Sequence, residues 1–218
     1  MKPLILINFK TYPEASGKQA LKIAQNLAAV NRSKYNVVIS PSLLTIKEIA
    51  EKVKMPVYAQ HIDPLAFGAH TGSIPLDELQ SFGIKGTLLN HSERKLPFPI
   101  LEKAIALCKK KKMTTIVCSS SLSETKKIAL LKPDYLAYEP PELIGGDISV
   151  TTSEPEVISK AVELVKSISP STKVLCGAGI QSKEDIAQAL VLGTEGVLIA
   201  HAVVMAKDPK KFLEGMLD

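Results

Sequence analysis

The stretch Thr114–Glu139, TTIVCSSSLSETKKIALLKPDYLAYE, decides the fold, because two apolar runs in it flank a helical pattern. The runs TTIVC (114–118) and YLAYE (135–139) do not alternate polar with apolar residues. Such runs are typical of strands buried on both faces of a parallel sheet. The segment SETKKIALL (123–131) between them has the pattern of a helix. The stretch therefore predicts one β-α-β unit.

The same unit recurs along the whole chain. Six more β-type runs are LILIN (4–8), NVVIS (36–40), PVYAQ (56–60), GTLLN (86–90), KVLC (173–176) and GVLI (196–199). Further helical patterns are GKQALKIAQNLAAV (17–30) with Ser16 as its N-cap, SLLTIKEIAEKV (42–53), PLDELQSF (75–82), PILEKAIALCKKKK (99–112), EPEVISKAVELVKSI (154–168) and SKEDIAQALVLG (182–193).

Eight β-then-α units predict an α/β protein with a closed (β/α)₈ barrel, the TIM barrel. No linker or composition shift divides the chain, so residues 1–218 are expected to form a single domain. This fold typically needs about 250 residues, which means that the barrel must be compact with short helices. An open doubly wound sheet is the alternative, but the first βα turn, NFKTYPEASG, lacks a GxGxxG fingerprint and no later turn supplies one.

Composition limits the class of protein. Hydrophobic residues make up 45% and charged residues 22% of the chain, as is typical of soluble globular proteins. No apolar run has the length of a membrane span and no signal peptide is recognised. The three cysteines lack metal-ligand spacing, so a cytoplasmic location is expected. The net charge of +5 suits a small anionic substrate, whereas the basic run Lys109–Lys112 has no interleaved aromatics and is expected to be a solvated helix end, not a nucleic-acid site.

Polar residues and two small-residue turns lie at the ends of several predicted strands. The polar residues are Asn8 and Lys10 at strand 1, His91 at strand 4 and Glu139 at strand 6, and the turns are Gly177–Gly179 after strand 7 and Ala200–His201 after strand 8. Barrel enzymes place their active sites at this end of the strands, and loops 7 and 8 commonly bind phosphate. A carboxylate base, an imidazole, a lysine and a phosphate site together predict proton transfer next to a carbonyl on a small phosphorylated substrate.

Each of these residues also has a simpler interpretation. Lys10 could be a surface lysine, Glu139 could merely end a strand, and the glycines could serve only the turns. His61, His70 and His201 compete with His91 for the role of the imidazole. His91 is favoured because Ser92 and Glu93 could begin a helical turn whose N–H groups keep the imidazole neutral.

Six motifs carry a resemblance to a known family. They are NFKTY (8–12), GAHTGSI (68–74), LLNHSERK (88–95), AYEPPELIGG (137–146), LCGAGI (175–180) and GTEGVLIA (193–200). Together they span nearly the whole chain, and NHSER and YEPPELIG are highly specific. The sequence resembles the triosephosphate isomerase family, in the short form found in archaea.

The resemblance implies an intramolecular aldose–ketose isomerase of glycolysis and gluconeogenesis that interconverts dihydroxyacetone phosphate and D-glyceraldehyde 3-phosphate. Glu139 would be the base that acts through an enediolate, and His91 would be the neutral imidazole that polarises the carbonyl. Triosephosphate isomerase is itself the standard example of this pairing. Lys10 would add positive charge, held in place by Glu93. No metal ion or organic cofactor is implied.

The resemblance also implies a set of binding residues and a partner. The substrate-binding residues would be Asn8, Phe9, Lys10, Ile144, Gly145, Gly177, Gly179, Ala200 and His201. The loop HIDPLAFGAHTGSI (61–74) would insert into a second copy of the chain, where Thr71 would support Asn8 and Lys10. A homodimer is favoured and a tetramer remains open, with no nucleic-acid or membrane partner.

The loop after strand 6 is implied to be a lid attached to the base. Pro140 and Pro141 would stiffen its start, and Gly145 and Gly146 would let its tip approach the phosphate. The chain departs from the usual family pattern at Asp147, which follows the lid tip, and at His201-Ala202 after strand 8. Two other functions stay open: a different phosphate-handling barrel enzyme, and a barrel that binds phosphate without turnover.

Overall fold

The structure, a computed structural model, describes residues 2–139 and 155–218. Its eight strands are β1 (Leu4–Asn8), β2 (Asn36–Ser40), β3 (Tyr58–Ala59), β4 (Gly86–Leu89), β5 (Thr114–Ser119), β6 (Tyr135–Tyr138), β7 (Lys173–Cys176) and β8 (Gly196–Ile199). All of their pairings are parallel, in the order β2-β1-β8-β7-β6-β5-β4-β3. A parallel bridge between Ile39 and Val57 joins the two ends of this order, so the sheet forms a nearly closed barrel.

Helices alternate with the strands around the barrel. In the described part of the chain they are α1 (Gly17–Ala28), α2 (Leu43–Lys52), α3 (Leu76–Ser81), α4 (Phe98–Lys110), α5 (Leu122–Leu130), α6 (Pro155–Ile168), α7 (Lys183–Val191), α8 (His201–Val204) and α9 (Pro209–Leu217), with a 3₁₀ turn at Pro13–Ala15 before α1. The longest of them has 14 residues. The predicted (β/α)₈ barrel with short helices is therefore confirmed.

Both faces of the strands are apolar because each face packs against its own core. Leu4 and Leu6 of β1 point into the barrel, where they meet Ile116 of β5 and Leu198 of β8 in a small interior cluster. Alternate residues on the same strands, such as Ile5, pack outward against the helices in the main core. This two-sided burial explains the absence of polar-apolar alternation in the sequence.

Helix starts differ in how they are capped. Ser121 accepts a hydrogen bond from the Glu124 N–H at the start of α5, and Ser182 forms a capping box with Asp185 in α7. Ser16 is the N-cap residue of α1, as predicted, but its hydroxyl donates to Tyr12 O (2.9 Å) and forms no capping hydrogen bond. The prediction was therefore right about the position and wrong about the interaction.

The C-terminal ends of the parallel strands meet at one rim of the barrel. The pairing of Asn8 with Ser40 and of Ser119 with Tyr138 brings neighbouring strand ends side by side there. The residues that follow these strands therefore lie around a single opening. In residues 2–139 and 155–218, no helix is long and apolar enough to cross a membrane.

Candidate active site

Lys10 lies just beyond β1 in an unusual backbone conformation. Its φ is +47°, in the left-handed region that side-chain-bearing residues rarely adopt. The buried Asn8 side chain stabilises this turn, since Asn8 Oδ1 accepts the Lys10 N–H at 2.9 Å. Phe9, between the two, is fully buried, and its N–H donates to Ser40 O (2.9 Å). The side chains of Asn8 and Lys10 are thereby set at the rim, while Phe9 points into the core.

The Lys10 ammonium is directed by a carboxylate from the loop after β4. Lys10 Nζ donates to Glu93 Oε1 at 2.7 Å, and only 13% of the Lys10 side chain is exposed. Burial favours the neutral amine, but the hydrogen bond and charge of Glu93, with smaller contributions from Tyr12 and Glu139, outweigh it and raise the pKa of Lys10. The lysine therefore carries its full charge at neutral pH.

His91 is held as a neutral imidazole with a defined tautomer. The Glu93 N–H donates to His91 Nδ1 (3.2 Å), which leaves Nε2 as the protonated nitrogen. Burial lowers the pKa of His91 to about 4, and the charges of Lys10 and Lys95 act in the same direction against that of Glu93. Nε2–H is then available to polarise an oxygen, since His91 stays uncharged over the physiological range.

Glu139 follows β6 and is 2% exposed. Its Oε1 accepts a hydrogen bond from the Cys118 thiol at 3.4 Å and lies 3.6 Å from His91 Nε2. No group in residues 2–139 or 155–218 hydrogen-bonds to Oε2, although the Ser92 amide is near enough to favour the ionised form. Burial dominates and raises the pKa of Glu139 to about 7. A carboxyl group with this pKa can exchange a proton readily near neutral pH.

A cavity of ≈ 410 Å³ opens at this rim, within the size range of small-molecule sites. Its lining includes Asn8, Lys10 and His91 from the strand ends, together with Leu43 and Leu44 of α2. The cavity thus combines a cation, an amide and an imidazole with apolar side chains.

The turns after β7 and β8 lie at the same rim. Gly177 leaves no space for a side chain, because a Cβ there would collide with Glu139 Cγ and would lie 3.0 Å from Tyr138 O. Gly179 has a φ of +67°, which a glycine adopts without strain. Ala200 precedes α8, which begins at the half-buried His201. Both turns consist of small residues where they leave the strands, and Gly177 packs directly against Glu139.

Three residues of the site went unnoticed in the sequence. Gln60 Nε2 donates to Asn8 Oδ1 (3.3 Å), Lys10 O (3.0 Å) and Ser40 O (3.0 Å). Cys118 contacts Glu139, and the buried Asn90, with a φ of +59°, precedes His91. Their positions at the ends of predicted strands were the available signal, but nothing in the local sequence indicated their contacts.

The other predicted residues have separate locations. His61 is buried and pairs with Asp63 through Nε2 (3.0 Å), and burial lowers the pKa of His61. His70 and Thr71 are exposed on the loop of residues 61–74. Ile144 and Gly145, with the rest of the predicted lid, lie outside the described residues. Among residues 2–139 and 155–218, no group of three or more His, Cys, Asp or Glu side chains is placed to hold a metal ion.

Comparison with known proteins gives a consistent result. A family model described as "Triosephosphate isomerase" matches residues 3–216. A protein of that name from Methanothermus fervidus is 43% identical over 217 residues, which cover 99% of this chain and 98% of the relative. The proteins of that name from Archaeoglobus fulgidus and Methanocaldococcus jannaschii are 45% and 44% identical, and the matches cover 98% of this chain and 96% and 98% of theirs.

Proposed function

The chain belongs to the triosephosphate isomerase family, and we propose that it interconverts dihydroxyacetone phosphate and D-glyceraldehyde 3-phosphate by proton transfer through an enediolate. The observation that carries this proposal is the pairing of a buried carboxyl group, Glu139, with a neutral imidazole, His91, 3.6 Å away. Their pKa values are displaced in opposite directions by burial, which suits one as a base and the other as a hydrogen-bond donor.

The reaction starts with removal of a proton from the hydroxymethyl carbon by the Glu139 carboxylate. His91 Nε2–H donates a hydrogen bond to the adjacent carbonyl oxygen as negative charge develops on it, and it shuttles the hydroxyl proton. Glu139 then returns its proton to the neighbouring carbon to give the aldehyde. Lys10 stabilises the enediolate and the phosphate electrostatically, which is worth most in a site that excludes water. No step requires a metal ion or an organic cofactor.

Substrate orientation is assigned to Asn8 and to backbone N–H groups of the small turns. Gly179 after β7, and Ala200 and His201 after β8, would present these groups to the phosphate. The N–H of Gly177 already donates to Tyr138 O (2.9 Å), so Gly177 would allow close approach of the substrate without acting as a donor. Glu93 serves both halves of the site, because it binds Lys10 through its side chain and His91 Nδ1 through its N–H. We propose that this reaction serves glycolysis and gluconeogenesis. Its expected location is the cytoplasm.

A homodimer is the proposed assembly. The loop of residues 61–74 is pinched at its base, where Asp63 N–H donates to Ile74 O (2.9 Å) and Asp63 Oδ2 accepts the Ile74 N–H (2.8 Å). Phe67 is 66% exposed beyond this base, and Leu44 is 96% exposed beside the cavity. In the dimer, the tip of this loop, including Thr71, would cover the exposed Leu44 of the second copy. Light scattering that gives the mass of one chain would contradict the dimer.

The activity is tested directly with D-glyceraldehyde 3-phosphate and a coupled assay in which glycerol-3-phosphate dehydrogenase consumes the dihydroxyacetone phosphate formed. We expect rapid NADH oxidation that depends on the protein. Absence of turnover in a protein that still binds glycerol 3-phosphate would instead favour the non-catalytic phosphate-binding barrel. Glycerol 3-phosphate is a suitable probe because it carries the phosphate but no carbonyl.

The pH dependence of kcat/KM follows from the pKa of Glu139. Burial raises this pKa to about 7, so the base is increasingly protonated as the pH falls below that value. We expect kcat/KM to fall tenfold per pH unit below about pH 7, with no contribution from His91 until near pH 4. Because the phosphate of the substrate also titrates near ~6, binding of glycerol 3-phosphate is measured over the same range. A profile that is flat to pH 5 would rule out Glu139 as the titrating base.

A further inference from the structure

The turn that carries His91 begins at Asn90, a residue in a strained conformation. Asn90 is 2% exposed and has a φ of +59°. Its Oδ1 accepts the Leu96 N–H (3.0 Å), which closes the segment of residues 90–96 on itself. Strained backbone of this kind persists only where its surroundings hold it. The position of the His91 ring therefore depends on what holds Asn90.

Both hydrogens of Asn90 Nδ2 are used in holding it. One is donated to Cys118 O (2.9 Å) at the end of β5, and the other to Glu124 Oε1 (2.8 Å) in the first turn of α5. Cys118 is also the residue whose thiol contacts Glu139 Oε1. The amide of Asn90 thus ties the His91 turn to the strand that contacts the base.

Glu124 binds the same turn at a second point. Lys95 Nζ, near the end of the turn, donates to Glu124 Oε1 (3.0 Å) and Oε2 (2.8 Å). Oε2 also accepts the Ser120 N–H (2.7 Å) and hydroxyl (2.9 Å). Burial favours the protonated acid, but Lys95, Ser120 and Asn90 outweigh it and lower the pKa of Glu124. A single ionised carboxylate therefore binds both ends of the segment that carries His91.

The charge of Lys95 acts on both reacting groups. It lowers the pKa of His91 and that of Glu139, so its position affects the imidazole and the base together. The side chain of Lys95 is 38% exposed, and without Glu124 its only remaining hydrogen bond in the described part of the chain would be the one to the Ser120 hydroxyl (3.2 Å). Glu124 itself makes no contact with His91 or Glu139.

We propose that Glu124 is a positioning residue for His91, and that it acts through Asn90 at the start of the turn and Lys95 near its end. The inference rests on the proposed isomerase function, because the imidazole has to be aligned with both Glu139 and the substrate carbonyl. Glu124 also lies outside the motifs that carry the family resemblance. A displacement of about 1 Å of a reacting group can cost ~10²-fold in rate, so such a contact matters without touching substrate.

The test compares Glu124→Gln with the parent protein and with Glu102→Gln. Glu102 lies exposed on α4, so its substitution removes the same charge away from the turn. We expect Glu124→Gln to lower kcat by roughly 10- to 100-fold, because the amide replaces one acceptor oxygen with a donor. KM and the affinity for glycerol 3-phosphate should stay close to the parent values, since the phosphate turns make no contact with Glu124.

A double-mutant cycle separates positioning from a general loss of structure. In a His91→Gln background the imidazole is absent, so adding Glu124→Gln should lower kcat much less than it does in the parent, leaving only the smaller effect of Lys95 on Glu139. The same loss of kcat in both backgrounds would overturn the proposal. Unchanged kcat in Glu124→Gln alone, or an equal loss in Glu102→Gln, would also overturn it.

The imidazole signals of His91 give a readout that does not depend on turnover. The chain has four histidines, so the ¹⁵N signals of His91 are assigned by their disappearance in His91→Gln. We expect the parent to show the Nε2–H tautomer, and Glu124→Gln to shift or broaden those signals. If the parent protein lacks isomerase activity, the proposed function fails while this measurement still decides the positioning. Parent-like signals in the variant would contradict it.

A second variant keeps the test decisive if Glu124→Gln folds poorly. Glu124→Asp retains the charge and the acid in the first turn of α5, but its side chain is one methylene shorter. It cannot reach Asn90, Lys95 and Ser120 together, so kcat should again fall while urea unfolding stays near that of the parent. A fully active Glu124→Asp would overturn the proposal, because it would show that the simultaneous contacts with Asn90 and Lys95 are not needed.

Discussion

Replacing Glu139 with glutamine is expected to lower turnover by at least ~10²–10⁴-fold, the usual contribution of a positioned general base. The amide has nearly the same shape, and its oxygen can still accept the hydrogen bond of the Cys118 thiol. The substitution therefore removes the proton acceptor and leaves the packing largely unchanged. Glu102→Gln is the control, because it makes the same substitution at an exposed position of α4. Parent-like turnover in a folded Glu139→Gln protein would remove Glu139 from the mechanism.

Although it lowers turnover, Glu139→Gln is expected to make the folded protein more stable than the parent at neutral and higher pH. The native pKa of about 7 exceeds the value of ~4.3 for an exposed glutamate, so the native state binds the proton more tightly than the unfolded chain. The free energy of unfolding of the parent should therefore fall as the pH rises from about 4 to 7, by a few kcal/mol at most. Glutamine does not ionise, so the free energy of unfolding of the variant should not show this fall. The urea midpoint of Glu139→Gln, relative to that of the parent, should therefore be higher at pH 8 than at pH 5. The same difference between the two proteins at both pH values would contradict a buried Glu139 that ionises in this range.

Strand composition was sufficient to predict the barrel because each strand is apolar on both faces. The exceptions concern contacts between strands. The run 56–60 was predicted as a strand, but only Tyr58–Ala59 forms one, since the seam with β2 consists of the bridge between Ile39 and Val57. The composition of a run does not reveal how much of it pairs across such a seam.

Helices α8 and α9 at the C-terminal end were not predicted. For α9 the signal was present, because Asp208 accepts the Lys211 N–H as an N-cap and Pro209 takes the first helical position. For α8 it was absent, since a helix of four residues leaves no periodic pattern to recognise.

The site was predictable where chemistry follows strand ends and unpredictable where it depends on distant side chains. His91 and Glu139 follow two parallel strands, so the topology alone places them on one rim. The amide of Gln60 and the carboxylate of Glu124 act through partners that are 20 or more residues away in the chain. The left-handed backbone of Lys10 also has no local signal, because lysine does not favour that conformation.

Replacing Lys10 with methionine is expected to lower kcat by about 10²–10³-fold and to weaken the binding of glycerol 3-phosphate. Methionine keeps a stem of similar length but cannot donate to Glu93 or stabilise developing negative charge. Circular dichroism should be unchanged, since the turn is held by Asn8 and Gln60 through the backbone of Lys10 and not through its ammonium.

The loss of this charge should also move the pH profile. The Lys10 ammonium favours the ionised form of Glu139 and the neutral form of His91, so without it both pKa values should rise. The acid limb of kcat/KM in Lys10→Met should therefore lie at higher pH than in the parent. Lys103→Met, an exposed site on α4, is the matched control. Parent-like affinity for glycerol 3-phosphate together with an unmoved acid limb would mean that Lys10 acts neither on the phosphate nor on the base.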